Sequence, residues 1–122
     1  MKEHVKYKTD LRERLLEFSV HIIALASKLP RTPAGFAVAN QVIRSATSVG
    51  ANCEEAQDAL SRADFLRTMN IALKESRETL YWLQVIERSN LLPENLVSSE
   101  LREANELVAI LSSSVKRLKN VP

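Results

Sequence analysis

Apolar residues recur along four segments of the chain at alternating spacings of four and three residues, the spacing of one face of an α-helix. Prolines mark two of the breaks between segments: Pro30 and Pro33 stand close together, and Pro93 stands alone. Proline lacks the amide hydrogen and clashes with the preceding helical turn, so helices are expected to end near Leu29 and Leu92. The pattern therefore predicts four amphipathic helices rather than one extended coiled coil.

The first two predicted helices each have an N-terminal cap. Helix one is expected to begin at Asp10, with Glu13 as its capping-box partner, and helix two at Thr32, with Pro33 in the first helical position. The apolar seam of helix one consists of Leu11, Leu15, Phe18, Ile22, Leu25 and Leu29. The seam of helix two consists of Ala39, Val42, Ala46, Val49, Cys53, Ala56 and Leu60. Most side chains of this second seam are small, so a neighbouring helix can approach it closely.

The last two predicted helices follow a capping box and a proline. Ser61 and Asp64 restart a helix after a short turn, and the fourth helix opens near Pro93. The seam of helix three consists of Phe65, Met69, Ala72, Ser76, Thr79, Leu83 and Ile86. The seam of helix four consists of Val97, Leu101, Ala104, Val108, Leu111, Val115 and Leu118. Four such segments with short connections predict an all-α fold, an antiparallel up-down-up-down four-helix bundle.

Two of the helices carry more apolar residues than one seam requires. Helix one has a second stripe at Leu16, Val20 and Ile23. The corresponding residues of helix three are Leu66, Leu73 and Leu80, with Ile71, Tyr81 and Trp82 nearby. Burial of these stripes in a homo-oligomer is the preferred interpretation, and a wider core within one chain is the alternative.

Length and composition indicate one globular domain. The chain has 122 residues, of which 45% are apolar and 26% charged, so we expect a single domain over residues 1–122 with a flexible N-terminal arm at residues 1–9. Its longest apolar stretch is far too short to span a membrane, and its charged N-terminus lacks the apolar segment of a secretory signal. The lone Cys53 cannot form an internal disulfide. A cytoplasmic location without membrane association is therefore expected.

The sequence predicts no enzyme activity, no cofactor and no bound metal. The di-metal sites of four-helix bundles require histidines three residues after a glutamate, and neither His4 nor His21 has that spacing. Glu75 and Glu78 alone are a weak metal signal. Cys53 lies in an apolar seam and is expected to be a buried, inert thiol. Phosphate-binding glycine loops, serine triads and dinucleotide fingerprints do not occur in the sequence.

Basic residues gather at one end of the predicted bundle. The formal net charge is only +2, but an up-and-down bundle brings the start of helix one beside the end of helix four. The basic residues expected there are Lys2, Lys6, Lys8, Arg12, Arg14, Lys116, Arg117 and Lys119. A ring of such subunits could bind the phosphate backbone of RNA or DNA. Alternatively, the cluster solubilises the chain and interacts with the helix dipole.

A polar stripe runs beside the apolar seam of helix two. It consists of Gln41, Ser45, Ser48, Asn52 and Glu55, again at alternating spacings of four and three. If the turn between helices two and three is centred near residue 61, facing residues have numbers that add up to about 122. This register pairs Arg44 with Glu78 and Glu55 with Arg67, although solvated surface charges are an alternative. The candidate interhelical or subunit-interface residues are Gln41, Arg44, Ser48, Asn52, Glu55, Arg67, Glu75 and Glu78.

Three segments carry a resemblance to a known family. They are QVIRSATSVGANCEEA at residues 41–56, SRADF at 61–65 and IALKESRETLYWL at 71–83, preceded by Leu29 and Pro30. They resemble the S23-type four-helix bundle proteins, which were first known as products of intervening sequences in bacterial 23S ribosomal RNA genes. The resemblance covers about two thirds of the chain in the expected order.

The resemblance implies a compact antiparallel bundle that assembles as a homopentamer, in a family whose members mostly have no established biochemical activity. Some relatives are accessory subunits of reverse transcriptases in diversity-generating retroelements, where a basic pentamer binds nucleic acid and the polymerase. Cys53 and Glu54 stand where many relatives have an aromatic and a basic residue. An acidic Glu54 argues against a nucleic-acid contact at that position. The resemblance thus implies a homo-oligomeric scaffold or binding protein, or a nucleic-acid-binding partner of a reverse transcriptase.

Overall fold

The computed structural model describes the backbone of residues 2–120 and the side chains of residues 10–120. The described residues form four long helices, with a one-turn 3-10 helix at Glu94–Leu96 before the last of them. The long helices are α1 (Lys2–Ala26), α2 (Pro33–Ala56), α3 (Arg62–Arg88) and α4 (Ser98–Lys119). No strand occurs among the described residues, so the predicted all-α fold is confirmed.

Two of the three predicted N-caps are formed. Thr32 Oγ1 accepts a hydrogen bond from the Gly35 amide at 3.1 Å, and Ser61 Oγ accepts one from the Asp64 amide at 3.0 Å. The predicted start at Asp10 is wrong because the backbone is already helical from Lys2. The residues before Asp10 contain no glycine or proline that would end a helix. The expectation of a flexible arm at residues 1–9 falls on a segment whose side chains lie outside the described residues, and it stays a prediction.

Side-chain contacts define the antiparallel order of neighbouring helices. Arg12 of α1 contacts Glu54 of α2, so that residue numbers of facing pairs add up to about 65. Ser45 of α2 contacts Thr79 of α3, where the numbers add up to about 124 and thus agree with the predicted register. α4 packs on α3 and runs beside α1. The contact between α4 and α1 is much smaller than the contact between α2 and α1.

The predicted seam of α1 is buried along its whole length. In the seam of α2 the residues from Val42 to Ala56 are buried, but Ala39 is only half-buried and Leu60 is 98% exposed. Leu60 is exposed because α2 ends at Ala56, so that Leu60 lies in the following turn. In α4 the unpredicted Leu107 is buried beside the seam.

The two surplus apolar stripes have different environments. On α3, Leu73 is buried, and Leu66 and Leu80 pack against the core, so this stripe widens the core of the single chain. On α1, Leu16, Val20 and Ile23 remain 59%, 55% and 46% exposed. Of the two stripes, only the one on α1 is therefore exposed and free to contact another molecule. None of the helices in the described part of the chain is long and apolar enough to cross a membrane.

Candidate functional site

A polar network lies on the surface between α2 and α3, with Arg44 at its centre. Arg44 Nε and Nη2 each donate to Gln41 Oε1 at 3.2 Å, Nη1 donates to Glu75 Oε2 at 3.3 Å, and Nη2 also contacts Glu78 Oε2. The indole of Trp82 donates to the same Glu78 oxygen at 3.0 Å. The predicted pairing of Arg44 with Glu78 is thus present, and Glu75 joins it from the preceding turn of α3.

Two hydroxyl groups lie beneath this network in the core. Ser45 and Thr79 are completely buried, and their side-chain oxygens are 2.9 Å apart. Thr79 Oγ1 also lies 2.8 Å from the carbonyl oxygen of Glu75, so both hydroxyls have partners. A buried hydroxyl without a partner is costly, so any shift of α2 along α3 that separates this pair is disfavoured. The pair thereby fixes the register that brings Arg44 to its carboxylates.

The other end of the polar stripe does not cross between helices as predicted. Asn52 donates to the carbonyl oxygen of Ser48 at 2.8 Å and to its hydroxyl at 3.1 Å, and both residues belong to α2. Arg67 pairs at 2.7 Å with Asp64 in the first turn of its own helix. The predicted pair of Glu55 with Arg67 is therefore wrong. A partner three residues away on the same helical face is reached with little additional ordering of the side chain.

Reversing the charge of Arg44 is expected to weaken the packing of α2 on α3. Arg44→Glu would place a third carboxylate beside Glu75 and Glu78, and we expect it to lower the free energy of unfolding by about 1–2 kcal/mol. Adding Glu78→Arg should restore part of this loss, since one cross-helix pair re-forms while Trp82 loses its acceptor. Chemical denaturation of the single and double variants measures the coupling.

Arg31→Glu is a matched control for this double-mutant cycle. Arg31 is exposed in the connection between α1 and α2 and has no ion-pair partner among the described residues, so its reversal is expected to change stability by less than about 0.5 kcal/mol. A double variant no more stable than either single variant would show that Arg44 and Glu78 are not coupled.

Two arginines of the predicted basic end form ion pairs that the sequence interpretation missed. Arg12 binds both oxygens of Glu54 at 2.9 and 2.7 Å, and this hydrogen bonding lowers the pKa of the Glu54 carboxyl. Arg14 binds both oxygens of Glu103 at 2.6 and 2.7 Å and reaches Glu106 at 3.1 Å. The hydrogen bond from Arg14 likewise lowers the pKa of Glu103. Both arginines therefore join α1 to its neighbours.

The remaining basic candidates divide into two groups. Lys116, Arg117 and Lys119 are exposed in the last turn of α4 and have no ion-pair partner among the residues described. The side chains of Lys2, Lys6 and Lys8 lie outside the described residues. Carboxylates on α2 and α4 thus neutralise the inner part of the predicted basic cluster, and its described free cations lie at the end of α4.

A cleft of about 410 Å³ separates α1 from α4 above the buried Phe18 ring. Its other lining residues are polar or charged: Arg14, Glu17, His21, Ser99, Arg102, Glu103 and Glu106. His21 lies 3.6 Å from Glu17 within α1. No group of three histidine, cysteine or acidic residues among the described side chains is arranged to hold a metal ion.

Cys53 is buried in the core between the helices. Burial raises the pKa of its thiol, so little thiolate is present near neutral pH. The thiol therefore lacks the exposure that a nucleophilic cysteine needs.

The family model of the 23S rRNA-intervening sequence proteins matches residues 8–113. The chain belongs to this family. A solved structure of a protein of unknown function from the S23 ribosomal protein family of Bacteroides thetaiotaomicron is similar to this chain, with 38% sequence identity and a TM-score of 0.81. The match covers 89% of this chain and 97% of the other. Among curated proteins, none has significant similarity to it.

The match extends over the segments that carry the resemblance in the sequence, including the polar network around Arg44. The relative has no known function, and nothing in the family or in the described residues of this chain indicates catalysis. The sequence contained no comparable signal for the missed pairs of Arg12 and Arg14: a turn centred between Leu29 and Pro33 makes the numbers of facing residues in α1 and α2 add up to about 62, one helical turn short of the pair of Arg12 with Glu54.

Proposed function

We propose that this protein is a non-enzymatic binding or scaffold protein that works as a closed homo-oligomer. The exposed apolar stripe of α1 carries the proposal. Leu16, Val20 and Ile23 are each about half exposed, and together they extend over two turns of one helix face. Contiguous apolar surface of this kind is stabilised when another molecule covers it, and a second copy of the chain is the simplest cover. Five copies are proposed from the family resemblance.

Light scattering coupled to size-exclusion chromatography tests this proposal. The protein is expected to elute as an oligomer at micromolar concentration, and Val20→Lys is expected to shift it toward monomer because the new charge would be desolvated in the contact. Ser113→Lys is the matched control, since Ser113 is exposed on α4 away from the stripe. A wild-type monomer at micromolar concentration would rule out the proposal.

Electrostatic binding of RNA or DNA is a second candidate function, in which the oligomer serves as the accessory partner of a reverse transcriptase. The exposed Lys116, Arg117 and Lys119 support it, because a ring would repeat this cationic tip in every subunit. The ion pairs of Arg12 and Arg14 count against it, since those cations are already neutralised.

A salt titration tests this second candidate. If the tip binds phosphate, the affinity for arbitrary single-stranded or duplex nucleic acid should fall steeply as salt rises, and Lys116→Glu/Lys119→Glu should abolish binding with the oligomer intact. No binding by the intact oligomer at low salt would eliminate this function.

A further inference from the structure

The outward surface of α1 combines acidic and apolar residues. Alongside the apolar stripe, Asp10, Glu13 and Glu17 are exposed on consecutive turns. Glu17 has 62% of its side chain exposed, and His21 is its only ion-pair partner among the described residues. The α1 face is defined as Asp10, Glu13, Leu16, Glu17, Val20 and Ile23. It contains three carboxylates, and the neighbouring Arg12 is already bound to Glu54 of α2.

The outward surface of α3 has the opposite charge. Exposed cations follow one side of the helix at helical spacings, and Tyr81 stands among them with 57% of its surface exposed. The Tyr81 ring packs edge-on against Trp82, with ring centroids 5.1 Å apart, which holds it in place. The α3 face is defined as Arg67, Lys74, Arg77, Tyr81 and Arg88. Of its four cations, only Arg67 forms an ion pair within the described part of the chain.

These two faces lie on opposite sides of the bundle. α1 packs on α2 and α4, and α3 packs on the same two helices, so α1 and α3 occupy diagonal positions. The α1 face therefore cannot reach the α3 face of its own chain. For the same reason, two rigid copies related by a twofold axis cannot each place their α1 face on the α3 face of the other. Repeated contact between the two faces is therefore head-to-tail.

The heights of the residues along the bundle match between the faces. The numbers of facing residues in α1 and α2 add up to about 65, and those in α2 and α3 to about 122. The difference between these sums means that each α1 residue lies at the same height as the α3 residue about 57 positions later in the sequence. Asp10 is thus level with Arg67 and Glu17 with Lys74. Ile23 is level with Leu80, beside Tyr81. In a cyclic assembly with its axis along the helices, neighbouring copies stand at equal height, so these residues would meet.

We propose that the α1 face of one copy packs against the α3 face of the next copy, and that this single heterologous contact closes the ring. Glu17 pairs with Lys74 and Asp10 with Arg67, while Ile23 packs against the Tyr81 ring. This inference rests on the self-association proposed above and names the surfaces that perform it. Charge complementarity selects the partner face, and the apolar stripe contributes the burial.

Charge reversal tests the pairing of Glu17 with Lys74. Glu17→Lys and Lys74→Glu are each expected to weaken assembly at least about tenfold, because each places like charges opposite one another. Combining both in one chain should restore assembly to within about threefold of wild type, whereas combining Glu17→Lys with Arg88→Glu should not, since Arg88 lies about four turns away along α3. Analytical ultracentrifugation measures the dissociation constants, and circular dichroism checks that each variant folds.

A cysteine pair tests the geometry independently of charge. Under mild oxidation, the double variant Ile23→Cys/Tyr81→Cys is expected to form intermolecular disulfides, which give a series of cross-linked species from two copies up to the full ring. Ile23→Cys alone should form none. Dimers of Ile23→Cys alone would mean that α1 faces α1, which would overturn the inference. An oligomeric wild type in which neither charge variant weakens assembly and the cysteine pair does not cross-link would overturn it too. In contrast, a monomeric wild type would remove the proposed function itself.

Discussion

Ile22→Ala is expected to lower the free energy of unfolding by about 3–4 kcal/mol, the usual loss when a fully buried isoleucine is truncated. Ile22 has no exposed surface and sits at the middle of the α1 seam. Packing from the other helices surrounds it, so the deleted groups leave a cavity that rigid neighbours fill only in part. Urea denaturation of wild type and variant at one protein concentration measures the difference.

Ile23→Ala is the matched control, because the same residue type one position later is 46% exposed. We expect it to change the stability of the monomer by less than about 1 kcal/mol and to act mainly on assembly. Its effect on unfolding should therefore depend on protein concentration, as stability gained from oligomer formation does. If both variants lost the same stability at every concentration, the contrast between the buried and the exposed face of α1 would be wrong.

Gly35→Ala is expected to destabilise the protein by about 3 kcal/mol, against the usual preference of helices for alanine. A methyl group on Gly35 would overlap the carbonyl oxygen of Pro30 and come within 2.9 Å of its carbonyl carbon. It would also lie 3.3 Å from Thr32 Oγ1, the atom that caps α2. The backbone of the α1–α2 connection would have to move, and the cap would be disturbed with it. Thermal and urea unfolding measure the loss.

Gly50→Ala gives the opposite expectation at the other glycine of α2. Its new methyl group would lie 3.6 Å from Leu15 Cβ, an ordinary contact distance. We therefore expect unchanged stability or a gain of up to about 1 kcal/mol from helix propensity. Destabilisation of both variants to the same extent would mean that the close approach of Pro30 to Gly35 has no special role.

The helices and most of their inward faces could be predicted from spacing alone. The register of α2 and α3 followed from the position of one turn and correctly brought Arg44 to Glu78. The same register failed for Arg67, because Asp64 lies nearer on its own helix. Leu60 was misassigned because the apolar spacing continues in the sequence beyond Ala56, where α2 ends. Asp10 was misassigned because the residue pair of a capping box can also occur inside a helix, as it does in α1.

The sequence by itself determined the four helices and the seams that face inward. Its motif residues also indicated the family. The tertiary structure decided which surplus apolar residues are free: Leu73 is buried in the core, while Val20 keeps 55% of its surface exposed. Spacing cannot distinguish these cases, because exposure depends on which helices flank a given face and how closely they approach it. Likewise, only the packing of α1 between α2 and α4 showed that Arg12 and Arg14 are neutralised by carboxylates far away in sequence.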